Sequence, residues 1–134
     1  MASTPSTASL LAQAVAAHGA GDLDQAEPLY RAALAQAPQA MVAANLGALL
    51  RSAGRAEEAE QLYRWALQHC AFDEQLLGNA CNLLRERGHL AETEHLLRQG
   101  LLKRPQSFPL RQGLALSLHH LGQLEDALAL QTQL

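Results

Sequence analysis

Residues 45–66 read NLGALLRSAGRAEEAEQLYRWA. A helical run leads to Gly54, a turn follows, and a second helical run opens at Ala56. The same punctuation recurs along the chain. Gly21, Gly54, Gly88 and Gly122 stand 33, 34 and 34 residues apart, and the second residue after each is Leu23, Ala56, Leu90 or Leu124. A fixed period of this length is the mark of a stacked repeat.

Further positions keep the register. Five residues after each glycine stand Ala26, Ala59, Thr93 and Ala127, small enough to let two helices approach. Nine after stand Tyr30, Tyr63, Leu97 and Gln131, and twelve after stand Ala33, Ala66, Gly100 and Leu134. Pro38 and Pro105 fall 17 residues after Gly21 and Gly88, where proline ends a helix and opens the next connection. The expected helices are 8–19, 22–36, 40–53, 56–70, 74–87, 90–103, 108–121 and 124–134, in four pairs.

This pattern resembles the tetratricopeptide repeat, a 34-residue helix–turn–helix with a W-x2-L-G-x2-Y…A-x3-F…Ala…Pro motif. The best stretch is Asn45-Leu46-Gly47…Gly54…Ala59…Tyr63…Ala66, and the likeness covers about Thr7 to Leu134. The departures, Gln13 at an apolar position of the first repeat and Gln131 at the aromatic position of the last, fall in terminal repeats. The resemblance implies an all-α, TPR-like α-solenoid of helix–turn–helix repeats in a right-handed superhelix, its first helices lining a concave groove. The organisation expected is a disordered lead-in over 1–7, then one array over 8–134. Its repeats run about 7–39, 40–73, 74–107 and 108–134, the last one truncated.

Composition narrows the function. The chain has 134 residues, 49% of them apolar but only 4% aromatic, so a core of Ala and Leu in packed helices is expected rather than a β-sandwich. Net charge is −3 and Lys103 is the single lysine, so no basic face that would neutralise phosphates is visible and no nucleic-acid partner is expected. No apolar run nears the ~20 residues that span a bilayer, so no membrane partner is expected. Cys70 and Cys81 make neither a disulfide framework nor a zinc pattern, and a reducing cytoplasm is the expected compartment.

Groove-facing residues of the first helices are the candidate site. Asn45 and Asn79 are one period apart, and an Asn amide both donates and accepts, so it can hold an extended peptide backbone whatever its side chains. The pair resembles the asparagine ladder in the repeat domain of O-linked N-acetylglucosamine transferases, although Ala12 and Gly113 replace the other two rungs. Arg51 and Arg85 form a second pair six residues on and suit carboxylates or carbonyl oxygens. Asn82 and His119 complete the proposed peptide-binding set. The family's carboxylate clamp uses lysines with Asn and Arg, and is disfavoured because Lys103 lies outside the groove.

Catalytic and metal chemistry is not expected, and no cofactor is implied. Glu57-Glu58 and Glu125-Asp126 open second helices, where acids suit the positive dipole end. His69-Cys70, Cys81, His89, His95 and His119-His120 lack HExxH or CxxC spacing. Cys81 is expected to be a buried thiol, and Trp65, with Tyr30 and Tyr63, helix-packing core. Leu124, Leu128, Leu130 and Leu134 leave an apolar end with no polar cap, so either a longer protein or a homo-oligomer through the array ends is expected. The leading reading is a non-enzymatic scaffold that binds a peptide or protein partner. The alternative is the N-terminal substrate-recognition or oligomerisation segment of a larger transferase, such as a bacterial protein glycosyltransferase.

Overall fold

A computed structural model describes residues 4–122 and Leu130. The described residues form seven helices: α1 (Thr7–Gly19), α2 (Leu23–Gln36), α3 (Ala40–Ser52), α4 (Ala56–His69), α5 (Glu74–Glu86), α6 (Leu90–Lys103) and α7 (Phe108–His120). Each falls within a residue or so of its sequence expectation. The eighth expected helix, 124–134, with Glu125, Asp126, Ala127, Gln131 and most of the terminal leucines, lies outside the described residues.

The glycine period has a backbone cause. Gly21, Gly54, Gly88 and Gly122 all take positive φ, from 78° to 88°, where a Cβ would strain the chain. At the end of α3, Gly54 N–H donates to Arg51 O (3.1 Å) and Arg55 N–H to Leu50 O (2.9 Å). Gly21 with Asp22, and Gly88 with His89, repeat both bonds. This double closure satisfies the last carbonyls of the first helix and reverses the chain in two residues. Helix starts are secured differently. Ser6, Asp22, Asp73 and Ser107 accept from backbone N–H groups three residues on, whereas α3, α4 and α6 have no side-chain cap bond.

The chain falls into two compact units, Met1–Phe72 and Asp73–Leu134. In the first, α1 packs on α2, α2 on α3, and α3 on α4; α1 also touches α3. In the second, α5 packs on α6 and α6 on α7, and α5 lies against α7. The small residues Ala26, Ala59 and Thr93 are fully buried where helices cross, with Tyr30, Tyr63 and Leu97 beside them.

Close packing at one crossing depends on a missing side chain. A Cβ built on Gly47 would fall within the Tyr63 ring, 2.6 Å from Oη. One period on, the same two positions hold Cys81 and Leu97, a larger residue facing a smaller one. In the first repeat they hold Ala14 and Tyr30, whose hydroxyl bonds His18 Nδ1 at 3.0 Å. Volume is thus traded across the crossing from one repeat to the next.

The second helices carry a repeated ion pair of their own. Glu27–Arg31, Glu60–Arg64 and Glu94–Arg98 form ion pairs at 2.9, 3.0 and 2.9 Å, each i,i+4 on a second helix. Arg55 also reaches back to Glu27 on α2 while pairing Glu58 at 2.8 Å, which ties the first two repeats together. Glu58 therefore has a partner as well as its place near the α4 N-terminus.

Trp65 corrects an expectation. Tyr30 and Tyr63 are core, but Trp65 is 38% exposed and stacks on His69, ring centroids 4.7 Å apart. Its position two residues past Tyr63 turns it ~200° around the helix, away from the crossing. Pro28 lies inside α2 on an exposed face, where it removes one hydrogen bond without ending the helix. Among the described residues no helix is long and apolar enough to cross a membrane.

Candidate functional site

In the second unit α5 and α7 flank a cleft of about 620 Å³, floored by Cys81 and by Leu97 from α6. That volume lies within the range of ligand pockets, roughly 300–1,000 Å³. Positions three and four apart turn Gln75, Gly78, Asn79, Asn82 and Arg85 of α5 toward it. Pro109, Gln112, Gly113 and Leu116 line the α7 side. Four amide side chains, one cation and one carboxylate stand among walls that are otherwise apolar.

Of the six expected site residues, Asn79, Asn82 and Arg85 come together in this cleft. His119 is exposed on α7, beside His120, and does not line it. Asn45 and Arg51 belong to α3 in the first unit, where Asn45 is half-buried and Arg51 exposed. Neither the Asn45 nor the Asn79 side chain makes a hydrogen bond among the described residues, so neither amide is committed to a neighbouring turn.

Arg85 is the most constrained polar side chain here. From the last turn of α5 it crosses to α7, where Nε donates to Ser117 Oγ (3.3 Å) and Nη2 to Gly113 O (3.3 Å). Nη1 donates to Asn82 Oδ1 at 3.2 Å. Ser117 Oγ in turn donates to Gly113 O at 3.0 Å. All three acceptors of Arg85 are neutral. Burial lowers its pKa below the ordinary value, and the guanidinium still stays charged at any working pH. By contrast Arg31, Arg55, Arg64 and Arg98 each hold a carboxylate.

Gly113 explains how Arg85 gets there. It stands where the second and third repeats place Asn45 and Asn79. A Cβ there would already sit 3.5 Å from Arg85 Nη2 and 3.4 Å from Leu97 Cδ1, so a longer side chain would meet the guanidinium. The lost rung is legible in the sequence, and its substitute is not. The signal available was the register: His18, Arg51, Arg85 and His119 all lie three residues before a turn glycine. The position is put to different uses, since His18 bonds Tyr30 of its own repeat and Arg85 reaches the next helix.

Cys81 lines the cleft but is almost fully buried, and that burial raises its thiol to about 12, so it is no nucleophile. Glu74 is the acid on the cleft's wall, and Arg104 approaches it at 3.9 Å. Among the described residues no group of three or more His, Cys, Asp or Glu could hold a metal ion.

Comparison with curated proteins gives no sequence match. Several solved structures share the fold. MamA (AMB-1) aligns with a TM-score of 0.74 at 21% identity, covering 94% of this chain and 69% of its own. A tetratricopeptide repeat protein from Parabacteroides merdae ATCC 43184 aligns at 0.77 and 23% identity, covering 90% of this chain and 49% of its own. PilF of Pseudomonas aeruginosa gives 0.76 and 22%, with 96% and 60% covered. The family model described as tetratrico peptide repeat matches residues 7–43 and 38–110. With the turns, the crossings and this match in agreement, the chain belongs to the tetratricopeptide repeat family.

Proposed function

We propose that this protein is an interaction scaffold whose α5–α7 cleft binds an extended segment of a partner protein. Family membership supports the coarser part, protein–protein interaction, because such repeats present extended surfaces on a rigid frame. The observation that carries the finer part is the uncommitted amide of Asn79, half-buried in the cleft wall. A peptide group offers that amide one acceptor and one donor.

Affinity from this cleft alone is modest. Neutral hydrogen bonds net about 0.5–1.5 kcal/mol each and charge-assisted ones about 1.5–3. A handful of contacts, after ordering costs, corresponds to a Kd of roughly 0.1–1 mM. The test is selection from a displayed library of random dodecapeptides, followed by NMR titration of the synthetic winners. Resonances of α5 and α7 are expected to move, and Asn79→Ala to weaken binding about fivefold, near 1 kcal/mol. Winners that titrate α5–α7 with undiminished affinity for Asn79→Ala would remove the asparagine from the site.

A further inference from the structure

We infer that the cleft selects an acidic residue in the bound segment, its side-chain carboxylate held by Arg85. This rests on the peptide-binding reading above and adds its chemistry. A guanidinium has five N–H donors, and Arg85 places three on neutral oxygens, at 3.2–3.3 Å. These are long for N–H···O bonds, and two donors remain. No carboxylate of the described residues pairs with this half-buried cation.

Arg85 also takes the space of the missing ladder rung. Asn79 offers a neutral amide suited to any peptide group, and Gly113, one repeat on, offers no side chain. The guanidinium lies against Gly113 instead, held there by Gly113 O and Ser117 Oγ. The site therefore alternates a sequence-blind contact with a charged one, and only the charged one discriminates. Carboxylate is the matching chemistry, because a guanidinium pairs it with two donors at once.

Nearby acids give the guanidinium no ion-pair partner. Glu74 lies eleven residues earlier on α5, about 16 Å along the axis, beyond a Debye length of roughly 10 Å at 0.1 M salt. Glu86, the next residue, is exposed and acts on the guanidinium only through space. That 16 Å separation also spans several extended residues, so the occupant is a run of chain. The carboxylate assigned is an internal Asp or Glu rather than a chain terminus.

The probe is a displayed library of random dodecapeptides, with winners synthesised in acetylated, amidated form so that no terminal charge remains. Wild-type protein is expected to select Asp or Glu at one fixed position. Replacing that residue by its amide isostere should weaken binding about tenfold, since a charge-assisted bond is roughly twice as strong as a neutral one. Arg85→Gln should bind the acidic and amide peptides within about twofold of each other. The isostere comparison on wild-type protein stands even if Arg85→Gln folds poorly by circular dichroism. Winners that bind in the α5–α7 cleft without an acidic position overturn the inference and leave peptide binding intact. Winners that bind only when resynthesised with a free C-terminal carboxylate, and that then tolerate the isostere, also overturn it, assigning Arg85 a terminal carboxylate. Failure to select any peptide that titrates α5–α7 overturns both readings.

Discussion

Replacing Gly47 by alanine sets two effects of opposite sign against each other. Gly47 lies mid-helix in α3, where alanine normally stabilises by about 0.5–1 kcal/mol through reduced chain entropy. Here the added Cβ meets Cε1, Cζ and Oη of Tyr63, all closer than real Cβ contacts occur. Tyr63 is fully buried, so the ring cannot swing into solvent. Relief requires an off-rotamer ring or a wider α3–α4 spacing, and overpacking of this kind costs about 1–3 kcal/mol. The first repeat limits the cost, since Ala14 and Tyr30 coexist there with the hydroxyl drawn to His18. The net expectation is a loss of about 1–2 kcal/mol, a fall in Tm of roughly 4–10 °C for a chain of this size. Thermal melts followed at 222 nm measure it. Gly78→Ala in α5 is the control, because nothing lies within 4 Å of its Cβ, and it should stabilise by about 0.5–1 kcal/mol. Importing the third repeat's pair, Gly47→Cys with Tyr63→Leu, should be less harmful than the sum of the single changes. If Gly47→Ala melts at or above the wild-type temperature, packing against Tyr63 is not what fixes glycine at this crossing.

Gly54→Ala should destabilise by about 1–2 kcal/mol from left-handed strain alone, since its Cβ meets nothing within 4 Å; denaturant midpoints would show it. The Arg55 bonds hold the carboxyls of Glu27 and Glu58 below the ordinary 4.5, so both contribute stability above that pH and lose it as pH falls through their folded values. Melts from pH 6 to 3 should therefore decline more steeply for wild type than for Arg55→Gln, and equal slopes would deny the network its role. Burial raises Cys81 to about 12 against an ordinary 9, so iodoacetamide at pH 8 should spare it until the chain unfolds. By the same sign, stability should fall as pH climbs from about 9 toward 12, a loss that Cys81→Ala removes.

Helix boundaries were legible to within a residue because a left-handed glycine is a local backbone requirement that leaves a mark at one position. The buried faces were legible for a related reason, as crossings such as Ala59 against its neighbours demand small residues at fixed spacing. Trp65 was not, since aromatic character alone does not say which way a side chain faces, and two residues past Tyr63 it turns outward. Asn79, Asn82 and Arg85 could be placed on one face of α5 from spacing alone. That Arg85 crosses to α7 depends on the room left by Gly113, a relation between residues 28 apart that no local pattern carries. The Glu27, Glu60 and Glu94 ion pairs are legible as plain i,i+4 spacing on the second helices.

The turns after α1, α3 and α5 are closed by amides and carbonyls, with a side-chain cap added only by Asp22 at the first. Such a joint makes no demand on the side chains either side of it, apart from one glycine. Frame and surface can therefore diverge independently. Met41 and Ala48 of α3 give a largely apolar face, and Gln75 and Asn82, their counterparts one period later, give a polar one. A lineage could exchange what this chain recognises by rewriting a few letters on one helix while every hinge of the framework stayed as it was.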